Sequence, residues 1–362
     1  MKRAIASTPT SNRQAGMVSI LVTMVLMIVL SLVVLGFAQI ARRNERQSLD
    51  RQLSTQAFYA AEAGINDVVD LIKTASGPIT AKPDCNNSGP LYSPLNALST
   101  LDAATNVTYS CVTVDPAPPG VSYSLDGVTS FVLPIIPASG TISQLTFTWK
   151  STDPANPSPA LGCPSAAAQH FSDSGNWAAS NCGYGVLRFD LVPTGGALTA
   201  SSLEAGTMSS FVVPLRSGGS AVIPFSASGS QDLVGTRCTN GATAQCSVTI
   251  NSGLGGNNYF LRIGTLYKPA TLLISGKDGS GSPVAFSGLQ AVIDATGKAQ
   301  DVLRRVQVRI PLPGAGVNKS SDYAIQSSGS VCKRFVLMSN YYKSEASADV
   351  PSMDAGTNPL CL

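Results

Sequence analysis

The chain has 362 residues, of which 12% are charged, about half the share of an ordinary soluble domain, and its formal charge is only +3. No long basic run is present, which excludes the usual electrostatic footprint of a nucleic-acid binder, so nucleic acid is not expected as a partner. The 33 glycines and 23 prolines point away from a helical enzyme and toward short strands joined by turns.

Lys2, Arg3 and Arg13 precede residues 17–41, which read MVSILVTMVLMIVLSLVVLGFAQIA without a single charge. At 1.5 Å per residue this run covers roughly 37 Å, enough to cross a hydrocarbon core with some tilt. A secretory signal peptide has a much shorter apolar region, so the run reads as a transmembrane anchor in contact with membrane lipid. Arg42, Arg43, Arg46 and Arg51 follow it, and the count of basic residues on the two sides does not decide the topology. The cysteines and the large polar remainder do. They place the N-terminus in the cytoplasm and the C-terminal domain outside.

The helix is predicted to continue to about Thr74, through residues 42–76 as an extramembrane segment. Leu49, Leu53, Ala57, Ala60, Ala61, Ile65, Val68 and Ile72 recur every three or four residues, an amphipathic stripe. Ser76-Gly77-Pro78 ends it, because proline cannot continue a helix and glycine suits its C-terminal cap. Gly36, Ala57, Ala60, Ala61 and Gly64 are small enough for another helix to approach closely, and are the candidate helix-packing positions.

From residue 77 onward the pattern changes to period two. Strands are predicted at 106–114, 121–123, 130–136, 144–150, 185–192, 210–215, 221–225, 246–250, 259–264, 271–275, 289–295 and 302–312. The expected fold class is α+β: a long N-terminal transmembrane helix followed by a mainly antiparallel, β-sandwich-like region over 77–362. That region is one body or two, with a break near 151–180, where a proline-rich loop lies. Thr296-Gly297-Lys298 reads as a hairpin turn. In the last strand Val306, Val308, Ile310 and Leu312 share one face, and Arg305, Gln307 and Arg309 share the other, as a solvated face or a small cationic contact surface.

Eight cysteines, Cys85, Cys111, Cys163, Cys182, Cys238, Cys246, Cys332 and Cys361, all follow the anchor, and none is in CxxC spacing. With one histidine in the chain, a zinc site is not expected, and disulfides in an oxidising compartment are. Pairing in sequence order closes the shortest loops, including one bridge from Cys163 to Cys182 across the proline-rich loop.

Catalytic chemistry finds no foothold. The lone histidine, His170, lacks oriented partners and reads as a surface residue. No GxSxG, HExxH or P-loop occurs. Gly253-Leu254-Gly255-Gly256 reads as a turn, and Asp278-Gly279-Ser280-Gly281-Ser282 as a hairpin tip without the acidic density of a calcium loop. Trp149 reads as core and Trp177, in a Ser/Asn/Gly loop, as a surface aromatic able to stack on a sugar. No catalytic residue, cofactor or metal is expected.

Arg13-Gln14-Ala15-Gly16-Met17, the apolar span, Arg42-Arg43-Asn44-Glu45 and then Gln56-Ala57-Phe58-Tyr59-Ala60-Ala61-Glu62-Ala63-Gly64-Ile65 stand in one order. That order resembles the N-terminal region of PilX-type minor pilins and pseudopilins of type IV filament systems, over about residues 13–75. The resemblance implies a leader, residues 1–16, cleaved between Gly16 and Met17. It implies other pilin-like subunits and an inner-membrane assembly platform as partners, and a role in assembly or surface adhesion. Main pilins carry a glutamate at the fifth mature position. Here Leu21 occupies it, and no acidic residue lies between Met17 and Asn44, which implies a minor subunit. The alternative is a single-pass, membrane-anchored surface binding protein, ligand unknown, that never enters a filament.

Overall fold

A computed structural model describes residues 15–86, 89–153, 156, 158–165, 177, 181–195, 199–226, 232–255, 258–315 and 318–321. His170, Cys332, Cys361 and most of the leader lie outside these residues. The chain divides into two compact units. One takes the chain through Asp67, Pro94–Val112 and Ala295–Val306. The other takes Val68–Ser93, Thr113–Asp294 and the chain from Gln307.

The first helix, α1 (Ala15–Thr74), runs 60 residues without a break. The run of Leu, Ile, Val, Met and Ala has no proline to interrupt it, and Ser76-Gly77-Pro78 stops it where expected. In the first unit α1 is joined by a short helix α2 (Leu95–Leu98) and by strands β1 (Thr100–Asp102) and β2 (Val107–Asp115). Two later strands, β14 (Gln290–Ala299) and β15 (Val302–Pro311), complete a four-stranded sheet in the order β1-β2-β14-β15. Asn106 and Gln300, both at positive φ, turn the chain before β2 and between β14 and β15. The expected turn at Thr296-Gly297-Lys298 is therefore a correction: these residues lie inside β14, and the reversal comes at Gln300-Asp301. On β15, Val306, Val308 and Ile310 are half-buried, while Arg305, Gln307 and Arg309 are exposed.

The second unit is a sandwich. One sheet holds β3 (Gly120–Leu125), β5 (Gln144–Ser151), β8 (Ala221–Pro224), β10 (Cys246–Ser252), β12 (Ala270–Lys277) and β13 (Pro283–Val284), in the order β13-β12-β5-β10-β8, with β3 also paired to β12. The other holds β4 (Thr129–Ile135), β6 (Val186–Pro193), β7 (Met208–Leu215), β9 (Asp232–Arg237), β11 (Tyr259–Leu266) and β16 (Asn318–Ser321), in the order β16-β4-β11-β6-β7-β9. A short helix, α3 (Ala200–Gly206), precedes β7. Pairing is antiparallel except for β8 with β10 and β7 with β9. Both sheets draw strands from before and after residues 151–180, so that loop does not divide the sandwich.

Alternation along the strands sends one face of each sheet inward. Leu133, Phe147, Trp149, Phe189, Leu191, Val248, Leu261, Leu272 and Ile274 are all fully buried in one core. Phe147 and Phe189, from opposite sheets, have ring centroids 5.0 Å apart. The Trp149 indole N–H donates to the Gly185 carbonyl oxygen at 3.0 Å, which satisfies the one polar atom of the largest core side chain. Each such side chain contributes about 1.5–3 kcal/mol by leaving water.

Cys163 is bonded to Cys182 and Cys238 to Cys246, both sequence-neighbour pairings. Cys85 and Cys111 are also disulfide-bonded. Trp177 corrects the surface reading. It is 3% exposed, its N–H donates to the Tyr184 carbonyl oxygen at 3.1 Å, and its ring stacks on Tyr267. The Ser/Asn/Gly setting suggested solvent, but an indole with a partner for its N–H gains more by burial. Asp278 Oδ1 accepts from the Ser280 amide and hydroxyl and from the Ser282 amide, closing the expected hairpin tip between β12 and β13.

Candidate functional site

Along α1 the side chains meet two different environments. From Ile20 to Ile40 every large apolar residue is 47–70% exposed, all round the helix. The span has a mean hydropathy of 3.0 and none of it is buried by the rest of the chain. A helix apolar on every face has no stable state in water; it requires lipid or other apolar helices around it. Gly36 belongs to this half, with nothing within 4 Å of where a Cβ would stand.

The second half is packed. Ala57, Ala60, Ala61, Gly64, Ile65, Val68 and Ile72 are buried at helical spacing, with Leu53 half-buried beside them. Leu49, at 57% exposure, stands off the expected stripe, which begins one turn later. In the first unit Ala57 and Ala60 pack with Val107 of β2 and Ala299 of β14, flanked by Leu53 and Val302. Ala57, Ala60, Ala61 and Gly64, four of the five small residues expected to admit a second helix, are thus covered by the chain's own strands, and Gly36 is not. The physical reason is Gly297. It sits mid-strand in β14, and a Cβ there would collide with the Ala57 carbonyl oxygen and the Ala61 amide nitrogen. Glycine lets the strand lie directly on the helix backbone.

Gly64 makes the matching approach on β2. A Cβ at Gly64 would stand 2.9 Å from Cγ of Tyr109, so the Tyr109 side chain packs directly on the helix at this glycine. The Tyr109 hydroxyl lies 2.9 Å from Asp67 Oδ2 and 3.2 Å from the Leu95 carbonyl oxygen. Burial, then the Asp67 hydrogen bond and charge, push the Tyr109 phenol well above its usual range. Arg304 Nε donates to Ser54 Oγ at 2.8 Å. These side chains tie α1 to β2 at Gly64 and Asp67 and to β15 at Ser54.

The opposite face of the packed half stays open. Phe58 and Tyr59 are 46% and 62% exposed, with their rings edge to face. Gly16 and Met17 lie in the first turn of α1, which begins at Ala15. Among the described residues no three His, Cys, Asp or Glu side chains gather as metal ligands. The contact of Tyr109 with Asp67 escaped the sequence reading, and Gly297 was read as part of a turn. Only Gly297 carried a signal, as a glycine inside an alternating strand.

Residues 15–66 match a family model described as PilX N-terminal. The matched stretch takes in the exposed half of α1 and its packed half up to Asn66. PilX-type pilins are structural proteins. No curated protein and no solved structure matches the chain. The family match and the bare apolar span together make this a membrane-anchored, single-pass protein.

Proposed function

With an N-terminal segment of PilX type as its anchor, we propose that the chain is a minor-pilin-like subunit of a type IV pilus or related filament, acting in assembly or surface adhesion. The observation that carries this reading is the coincidence of the family match over 15–66 with a helix that is bare over its apolar half. In this reading residues 1–16 are a cytoplasmic leader, 17–41 the membrane span and 42–76 its continuation. Residues 77–362 are the exported domain, whose disulfides form in an oxidising compartment. Other pilin-like subunits and the inner-membrane assembly platform are the partners, and they meet the exposed half of α1. Leu21 and the lack of any acid up to Asn44 favour a low-copy accessory subunit, because no buried carboxylate sets the helix register.

The same absence supports a second reading, a surface binding protein that stays in the membrane. Mass spectrometry of the mature N-terminus separates them. The filament reading expects a chain that begins at Met17 in cells with an active prepilin peptidase. Envelope peptides that run from residue 16 into Met17 would reject it.

A further inference from the structure

Directly beyond the apolar span, α1 carries Arg42, Arg43 and Arg46, all exposed. Nothing described so far uses them. Among the described residues the ion pairs join Lys73 to Asp70 and Arg188 to Asp190, and neither involves these arginines. Glu45 and Asp50 are exposed in the same stretch and form no ion pair with them.

The helix is unbroken here, so its geometry places each charge. Arg42, Arg46 and Arg43 fall within an arc of about 100° around the axis, and Glu45 falls outside it. Asp50 returns to the arc about 6 Å farther from the span than Arg46. Continued along the helix, the same arc becomes the packed face of Leu53, Ala57, Ala60, Ala61 and Gly64. The strands of the first unit thus cover this face from Leu53 onward and leave it bare before that. The arginines stand in the resulting step, roughly 18 Å deep between Ala41 and Leu53. They lie about 1.5–8 Å past Ala41, the depth of a headgroup layer. Arg51 is about 15 Å past it, beyond that layer.

We propose that this arginine face binds the headgroup of an anionic phospholipid. Guanidinium groups pair in a fork with phosphate oxygens. Three on one face favour a headgroup of net negative charge over a zwitterionic one. The strands above block the path of a second long helix along this face, whereas a headgroup fits the step. The proposal rests on the membrane-anchored reading of α1 and holds whether or not the chain enters a filament.

The test uses the full chain, reconstituted into vesicles of equal parts phosphatidylglycerol and phosphatidylcholine. The protein is re-extracted in mild detergent and the lipids that stay bound are quantified by mass spectrometry. Phosphatidylglycerol is expected in clear excess over the vesicle ratio. Arg46→Gln should lower that preference about fivefold, and Arg42→Gln, Arg43→Gln and Arg46→Gln together should abolish it. Arg51→Gln should leave it unchanged. Glutamine suits an exposed helix, so Tm is expected to hold in all three. The triple lysine variant at the same positions should keep the preference, which separates charge from fold. Lipid retained at the vesicle ratio by the unaltered chain, a preference that survives the triple glutamine variant, or an equal loss with Arg51→Gln would overturn the proposal. A chain that does not enter the vesicles would overturn it together with the anchored reading.

Discussion

The two halves of α1 are one unbroken helix with opposite demands. The first half buries nothing inside the chain and is apolar on every side; the second buries a narrow stripe of alanine, glycine and branched residues and leaves its other face open. The difference teaches what each half is matched to. Leucine, isoleucine and valine around the whole circumference suit a solvent of hydrocarbon. Alanine and glycine on one stripe suit a backbone partner that comes close, and here that partner is strand β14 of the same chain. A small-residue stripe is therefore not by itself a subunit interface.

The largest way to break this contrast is at Gly297. Gly297→Val should destabilise the fold by about 3 kcal/mol or more, because the new side chain meets helix backbone that has no room to shift. Ala61→Leu, on the helix side of the same contact, should cost about 1–3 kcal/mol by overpacking. Thermal melts of the full chain in detergent read both.

A smaller effect is expected at Tyr109. Tyr109→Phe removes the hydrogen bond to Asp67 and should cost about 1.5 kcal/mol near neutral pH. Its pH dependence follows from the raised phenol. Below the ordinary tyrosine value, near 10, folded and unfolded chains both hold the proton and stability is level. Above it the unfolded chain releases the proton first, so the native chain loses stability as pH rises toward the folded value. Tyr92, Tyr123 and Tyr184, each pushed up to about 12 by burial, add to the same alkaline loss. Tyr109→Phe should flatten that limb by one residue's share, while an unchanged limb would mean that the Tyr109 phenol is not buried against α1.

The smallest effect sharpens the other half. Gly36→Ala meets nothing within 4 Å and should change Tm by no more than an exposed substitution does, within about 0.5 kcal/mol. A loss of co-purification with other pilin-like subunits at unchanged Tm would mark Gly36 as a contact between helices.

Much of this was legible in the residues. Composition and period fixed the helix, its stop at Ser76-Gly77-Pro78 and twelve of the described strands, because a run of β-branched residues between turn signals has few other solutions. The strands β1, β9, β13 and β16 were not legible. They are short or polar, and pairing to a neighbour rather than their own pattern makes them strands. The site was only half legible. Small residues at helical spacing announce close approach but not its partner, since Ala57 and Ala61 look the same from a strand or from a second helix. Gly297 was misread as a turn because glycine next to lysine is a common turn signal, and its real role depends on a helix more than 200 residues away in the chain. Trp177 was misread because loop composition does not reveal the Tyr184 carbonyl and Tyr267 ring that receive it.

The central claim is that one helix serves two environments, and photo-leucine tests it without changing shape. Cells grown with the isostere would be irradiated and the cross-links of this chain mapped by mass spectrometry. Leu26, Leu30 and Leu35 are predicted to cross-link to lipid and to other subunits, and Leu53 to its own chain at Val302 or the residues beside it. Cross-links from Leu53 to other chains, with none to the strand segment around Val302, would contradict the account.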